Sequence, residues 1–208
     1  MSVFIALEGP DGAGKSTQIE LLAARIRVTG REVVTTREPG GTELGERIRN
    51  LVLATSEEHD ALADALLFNA ARRRLVRDVI QPALERGAVV LCDRFADSTL
   101  AYQGYGSGAP LESLRQIAEA ATGGLTPVRT VLLDVAAADG LARRMDGDQS
   151  ALTKFETGSM FGTEFHERVR SGFLALAATE PLRWRVIDAA RAPDQVADDV
   201  WEAVADLF

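Results

Sequence analysis

A chain of 208 residues, 46% hydrophobic and 26% charged, carries enough apolar material for one globular core, two small domains being the other arrangement its length allows. The net charge of -8 argues against a general nucleic-acid binder, which needs a basic face to meet a polyanion, so any nucleotide handled here is expected to be small and held by a few local cations. The absence of a basic-then-apolar leader and of any apolar run long enough to span a bilayer points away from a membrane and toward the cytoplasm, and the single cysteine, Cys92, excludes an intramolecular disulfide and reads as a buried, inert thiol.

The run Val3-Phe4-Ile5-Ala6-Leu7-Glu8 predicts a first strand, and it leads into Gly9-Pro10-Asp11-Gly12-Ala13-Gly14-Lys15-Ser16-Thr17. That stretch fits the phosphate-loop pattern G-x-x-x-x-G-K-[ST], in which glycines let backbone N–H groups wrap a phosphate, the lysine neutralises charge and the hydroxyl reaches a magnesium ion. Ile19, Leu22 and Ile26 then recur at helical spacing, so the loop opens a helix whose positive end faces the anion. Strand, loop and helix occur in the required order.

Further along, 32–36 predicts a second strand, broken by Arg37-Glu38-Pro39-Gly40-Gly41-Thr42, and a helix resumes through Leu44, Ile48, Leu51 and Val52. Residues 61–86 read as helical, with Pro82 kinking or dividing the element. The continuous apolar run 88–92 predicts a strand covered on both faces, 111–121 a helix, 128–133 another buried strand, 182–187 a last strand, and Val196, Val200 and Val204 a closing helix. Strands alternating with helices imply parallel crossovers, hence an α/β fold with an open parallel sheet and helices on both faces.

Such sheets bind ligands at the carboxyl ends of their strands, so the polar residues that stop each strand should share one crevice. These are Glu8 with the loop, Arg37-Glu38, Asp93-Arg94 and Asp134, the last reading equally as a helix cap. The second ligand is read from two further groups. Phe68 and Arg72 are one helical turn apart, so ring and fork either meet one flat nucleobase or form a core Phe beside a solvated Arg. In the segment 94–106, Ser98 and Tyr102 stand at i and i+4 and Thr99 and Tyr102 at i and i+3, which, if helical, aims hydroxyls and an aromatic edge into the crevice beside Arg94, a cation for an acceptor phosphate.

The ordered set of the phosphate loop, Arg37-Glu38-Pro39-Gly40-Gly41-Thr42, Phe68-x-x-x-Arg72 and Asp93-Arg94-x4-Thr99-x2-Tyr102-Gln103-Gly104 resembles bacterial thymidylate kinases over nearly the whole chain. The resemblance implies one P-loop domain over 1–208, a five-stranded parallel sheet, a homodimer, and transfer of the γ-phosphoryl group of ATP to dTMP. It also implies roles. Gly9, Pro10, Asp11, Gly12, Ala13, Gly14, Lys15, Ser16 and Thr17 hold ATP. Ser16, Asp11 and Asp93 serve magnesium, with Glu164 a further candidate. Glu38, Pro39, Phe68, Arg72, Arg94, Ser98, Thr99, Tyr102 and Gln103 bind dTMP, with Phe68 stacked on thymine and Tyr102 near the sugar.

Family members whose loop lacks an arginine among its variable positions, as here with Pro10, Asp11 and Ala13, carry catalytic arginines in a mobile lid after the fourth strand. The corresponding lid is about 143–162. Its cations are Arg143 and Arg144, which also read as solvated helix residues, and Lys154 in Thr153-Lys154, where the family has Asp-Arg. Lysine keeps the charge and loses the fork. The catalytic set is therefore Lys15, Arg94, Asp11, Arg143 and Lys154. Downstream, His166 reads as a surface helix residue. The functional alternatives are a kinase for another deoxynucleotide or a deoxynucleoside, and a nucleotide-binding switch protein with a degenerate lid; a guanine-reading Asn-Lys-x-Asp segment is missing.

Overall fold

A computed structural model describes residues 2–54, 60–146 and 162–208. Strands β1 (Val3–Glu8), β2 (Val33–Arg37), β3 (Val89–Asp93), β4 (Arg129–Asp134) and β5 (Trp184–Asp188) form one parallel sheet in the order β2-β3-β1-β4-β5. The chain leaves β1 in the middle, goes first to β2 at one edge, returns to β3 between the two, then crosses to β4 on the other side, so the end of β1 lies at the point where the strand order reverses.

Both faces of the sheet are covered at its inner strands, which is why β1 and β3 read as nearly unbroken apolar runs, whereas the edge strands β2 and β5 carry exposed polar residues. On one face Val3, Ile5, Leu7, Leu91, Val131 and Leu133 meet Ile19, Leu22 and Ile26 of α1 (Lys15–Val28) and Val196 and Val200 of α9 (Pro193–Glu202). On the other, Phe4, Ala6, Val90 and Cys92 meet Leu75 of α3 (Ala61–Leu75) and the residues that follow it. Leu132 packs there with Phe165, Val169 and Phe173 of α8 (Thr163–Thr179). The remaining helices are α2 (Glu43–Ala54), α4 (Gln81–Glu85), α5 (Ala96–Thr99), α6 (Leu111–Thr122) and α7 (Ala137–Asp146).

Strands β2 to β5 each end one residue later than the apolar runs predict. Arg37, Asp93 and Asp134 belong to the ladder, in the pairs Arg37↔Asp93, Leu7↔Asp93 and Asp134↔Asp188, so backbone pairing outlasts the apolar side chains. The long helix of 61–86 is divided, as Pro82 requires, but the break lies ahead of it: a π-helical turn, Val76–Ile80, separates α3 from the short α4 that holds Pro82 in its first turn. A second π-helical stretch, Leu100–Gly106, continues α5. Its glycines do not form a loose exit; a Cβ on Gly106 would meet the Phe165 ring at 2.6 Å, so α8 packs on this backbone directly.

Candidate active site

The phosphate loop follows β1 as the sequence predicts. Gly14 takes φ 88° as the residue before α1, a left-handed turn that aims the first N–H groups of the helix into the loop. Gly12, at φ 74°, lies so close to α7 that an added Cβ would stand 1.9 Å from the Gly140 carbonyl oxygen. Lys15 is buried and its Nζ donates to the carbonyls of Gly9 (3.1 Å) and Pro10 (2.8 Å). Burial first, and then repulsion from Arg94, lower its pKa to about 8 against the pull of Asp93, Asp11 and Glu8. Thr17 is exposed at the helix start, and so is Ser16, whose hydroxyl donates to Asp93 Oδ2 at 2.8 Å. These two oxygens fit a hard divalent cation, which takes a few protein oxygens and completes its shell with water and phosphate.

Arg94 joins the loop to the acceptor segment. It is the only non-glycine with positive φ among the described residues, at 68°, and its Nη1 donates to the Gly9 carbonyl (3.0 Å) and to Ser98 Oγ (3.3 Å). Its Nη2 donates to Asp11 Oδ1 (2.6 Å) and to the Tyr102 hydroxyl (2.9 Å), and that hydroxyl donates on to Asp11 Oδ2 at 2.9 Å. The guanidinium also lies over the Tyr102 ring, 4.8 Å from its centre. Burial alone would raise the Asp11 carboxyl, but Arg94, Lys15 and Tyr102 outweigh it and hold it below the ordinary value. With both oxygens engaged in this way, Asp11 stands apart from the Ser16–Asp93 pair.

Glu8, fully buried at the end of β1, accepts the Phe95 N–H at Oε1 (2.7 Å) and the Ser98 hydroxyl at Oε2 (2.6 Å). Burial and then Asp97 push its pKa up to about 7. Asp97 is itself held by Arg183, which reaches it at 2.7 Å and also donates to Thr130 of β4. The acceptor segment is thus anchored to the sheet at both ends of α5.

Arg72 is buried, not solvated. Its Nε donates to Glu38 Oε2 (2.7 Å), one Nη to Asn69 Oδ1 (2.6 Å), and the other to the Phe95 carbonyl (3.2 Å) and to Thr99 Oγ1 (3.0 Å). The fork therefore ties the end of β2 to the segment after β3 and has one N–H beyond these four. Desolvation raises the Glu38 pKa against the pull of Arg72, and Glu38 Oε1 has no hydrogen-bond partner among the described residues. Phe68, half-buried, packs on the small cluster of Ile48, Val52 and Ala71, and Arg49 of α2 donates to the Pro39 carbonyl at 3.2 Å. Gln103 is buried on the π-helical stretch.

Several expected residues lie elsewhere. Arg143 donates to the carbonyls of Ala189 (2.8 Å) and Ala190 (3.1 Å) after β5, so its fork is bound away from the Arg94 cluster. Asp134 caps no helix: Arg170 of α8 grips both its oxygens, at 2.7 and 2.9 Å. Glu164 is exposed in the first turn of α8. Lys154, with most of the lid, lies outside the described residues. His166 is a correction: it is 2% exposed, with Nδ1 4.0 Å from Asp11 Oδ2, because it shares the face of α8 that carries Val169 and Phe173 onto the acceptor segment. Sequence reasoning also missed Asn69 and the Arg183–Asp97 pair. Asn69 was findable as a polar residue one turn before Arg72; nothing local marks a pair 86 residues apart.

Residues 7–200 match the family model described as thymidylate kinase. The thymidylate kinase of Deinococcus radiodurans is 52% identical over 204 residues, covering 98% of this chain and 97% of that protein. That of Thermomicrobium roseum is 51% identical over 208 residues, covering 100% and 97%. The crystal structure of thymidylate kinase from Ehrlichia chaffeensis superposes with a TM-score of 0.78 at 36% identity, covering 98% of each chain.

Proposed function

The chain belongs to the thymidylate kinase family, and on that premise we propose how its residues divide the transfer of the γ-phosphoryl group of ATP to dTMP, which gives ADP and dTDP. The enzyme is a phosphotransferase, and ATP and dTMP are its substrates. Gly9 to Thr17 wrap the ATP phosphates, and Lys15 releases its two loop carbonyls to lie on the β/γ oxygens. Arg94 holds the dTMP phosphate, Tyr102 walls the sugar, Phe68 stacks on thymine, and Arg72 donates its remaining N–H to the base, with Thr99, Gln103, Ser98, Glu38 and Pro39 completing the pocket. Ser16 and Asp93 would hold a magnesium ion, which would supply charge neutralisation for the phosphates. No strong general base is needed, since positioning and charge neutralisation account for most of the acceleration. Lys154, and Arg143 once it lets go of the carbonyls of Ala189 and Ala190, act as lid cations in a single domain over 1–208 whose lid is about 143–162.

The observation that carries this reading is the Arg94–Asp11 contact of 2.6 Å, a largely buried cation against the phosphate loop, which supports Arg94 as the group that meets the acceptor phosphate. A homodimer in the cytoplasm is part of the proposal. Leu62 and Leu66, 39% and 52% exposed on α3, offer it an apolar patch, and no described helix is long and apolar enough to cross a membrane. Coupled ADP release with dTMP, dUMP, dCMP, dGMP, AMP and thymidine tests the assignment: dTMP should be turned over best, and equal turnover of a purine monophosphate or of thymidine would reject it.

A further inference from the structure

We propose that Glu8 is a positioning residue for the acceptor phosphate: by holding the Phe95 N–H and the Ser98 hydroxyl, its carboxylate fixes both the backbone and the guanidinium direction of Arg94. This rests on the reading of Arg94 as the group that holds the dTMP phosphate.

A non-glycine residue at φ 68° is strained, and such a conformation persists only where its surroundings over-determine it. Both peptide N–H groups flanking the Arg94 Cα are held by successive residues of β1: that of Arg94 by the Leu7 carbonyl at 2.9 Å, that of Phe95 by Glu8 Oε1 at 2.7 Å. The same carboxylate works on the side chain. Ser98 donates to Glu8 Oε2 at 2.6 Å and so presents its lone pairs to Arg94 Nη1, 3.3 Å away. The Phe95 peptide is also gripped from the base side, its carbonyl accepting from Arg72 at 3.2 Å. Glu8 acts through Arg94 and not on the reacting atoms, and the fully buried carboxylate adds attraction for the guanidinium from behind.

Glu8→Gln keeps the size and one carbonyl for the Phe95 N–H, but sets an amide donor against Ser98 Oγ, which already receives Arg94. Calorimetric titration of the variant is expected to weaken dTMP tenfold or more while thymidine and ATP change less than twofold. A purely structural role would weaken dTMP and thymidine together, and that result, or unchanged dTMP, overturns the proposal. Arg94→Ala serves as the reference. If it too leaves the dTMP-to-thymidine ratio unchanged, the phosphate assignment itself falls; if it collapses the ratio and Glu8→Gln does not, only the role of Glu8 falls. Should Glu8→Gln not fold, Ser98→Ala is read by the same ratio, since it cuts the relay while leaving Glu8 in place: a selective loss of dTMP supports the proposal and an unchanged ratio overturns it.

Discussion

Arg94 Nη2 and Asp11 Oδ1 stand 2.6 Å apart, each largely buried, so the cation proposed for the acceptor phosphate is neutralised by a carboxylate of the phosphate loop. Removing that carboxylate takes from Arg94 its one anionic hydrogen-bond partner and leaves it Gly9, Ser98 and Tyr102. Asp11→Ala should destabilise the free enzyme by about 2 kcal/mol, the penalty for breaking a partly buried charged pair. Bound dTMP brings its own anion to Arg94 and should restore part of the loss, so the rise in melting temperature on saturation with dTMP should be larger in the variant. An equal rise in both proteins would show that the phosphate does not reach Arg94.

The Arg72–Glu38 pair is the most deeply buried ion pair of the site, with side chains 2% and 6% exposed. Arg72→Ala strands Glu38 among apolar neighbours and should cost roughly 3–5 kcal/mol in urea unfolding. The double variant Arg72→Leu, Glu38→Leu removes both charges and should recover most of that loss while remaining unable to bind dTMP. Persistent instability of the double variant would mean that the links to Asn69, Phe95 and Thr99 matter more than the ion pair.

Glu8 sets a pH dependence of stability. Its pKa rises from 4.5 to about 7 on folding, so between those values the folded chain keeps a proton that the unfolded chain has released. Its contribution is therefore present in full below pH 4.5 and is lost as the pH rises to 7, a swing of about 3 kcal/mol. Chemical denaturation of the wild type and of Glu8→Gln across pH 4.5 to 8 isolates it, and the advantage of the wild type should shrink with rising pH. A constant difference would mean that Glu8 is ionised throughout.

Lys15 carries the opposite sign. A pKa of about 8 means that the lysine is partly neutral at pH 8.5, and a bound triphosphate draws it back to the charged form. ATP binding at that pH should take up about three quarters of a proton, measured by calorimetry in buffers of different ionisation enthalpy. Lys15→Ala should abolish both the uptake and phosphoryl transfer while leaving the melting temperature intact or higher, since a desolvated charge is gone.

Phe68→Ala should weaken dTMP at least tenfold and ATP hardly at all, by the worth of one stacked aromatic ring. Comparable loss of both ligands would make the ring a packing residue of the Ile48 cluster only.

The order of elements, the sheet and the phosphate loop were legible because each is written locally, as apolar runs of strand length, glycines at fixed spacing and a periodic helix. The residues proposed for the acceptor could be picked out of the sequence, but their bonding could not. Arg72 reads on paper as a solvated or base-reading fork, yet four of its N–H groups serve Glu38, Asn69, Phe95 and Thr99, partners spread over three elements. His166 is buried for the same kind of reason, since whether a helix face is covered depends on what crosses it. The π-helical stretch at Leu100–Gly106 has no clear local signature either; it becomes intelligible once Gly106 is seen against the Phe165 ring.

Where Gly12 meets Gly140, two main chains touch with no side chain between them. A contact of bare backbone has no rotamer to give, so loop and helix are locked to each other there, and a methyl group on either glycine would have to prise them apart.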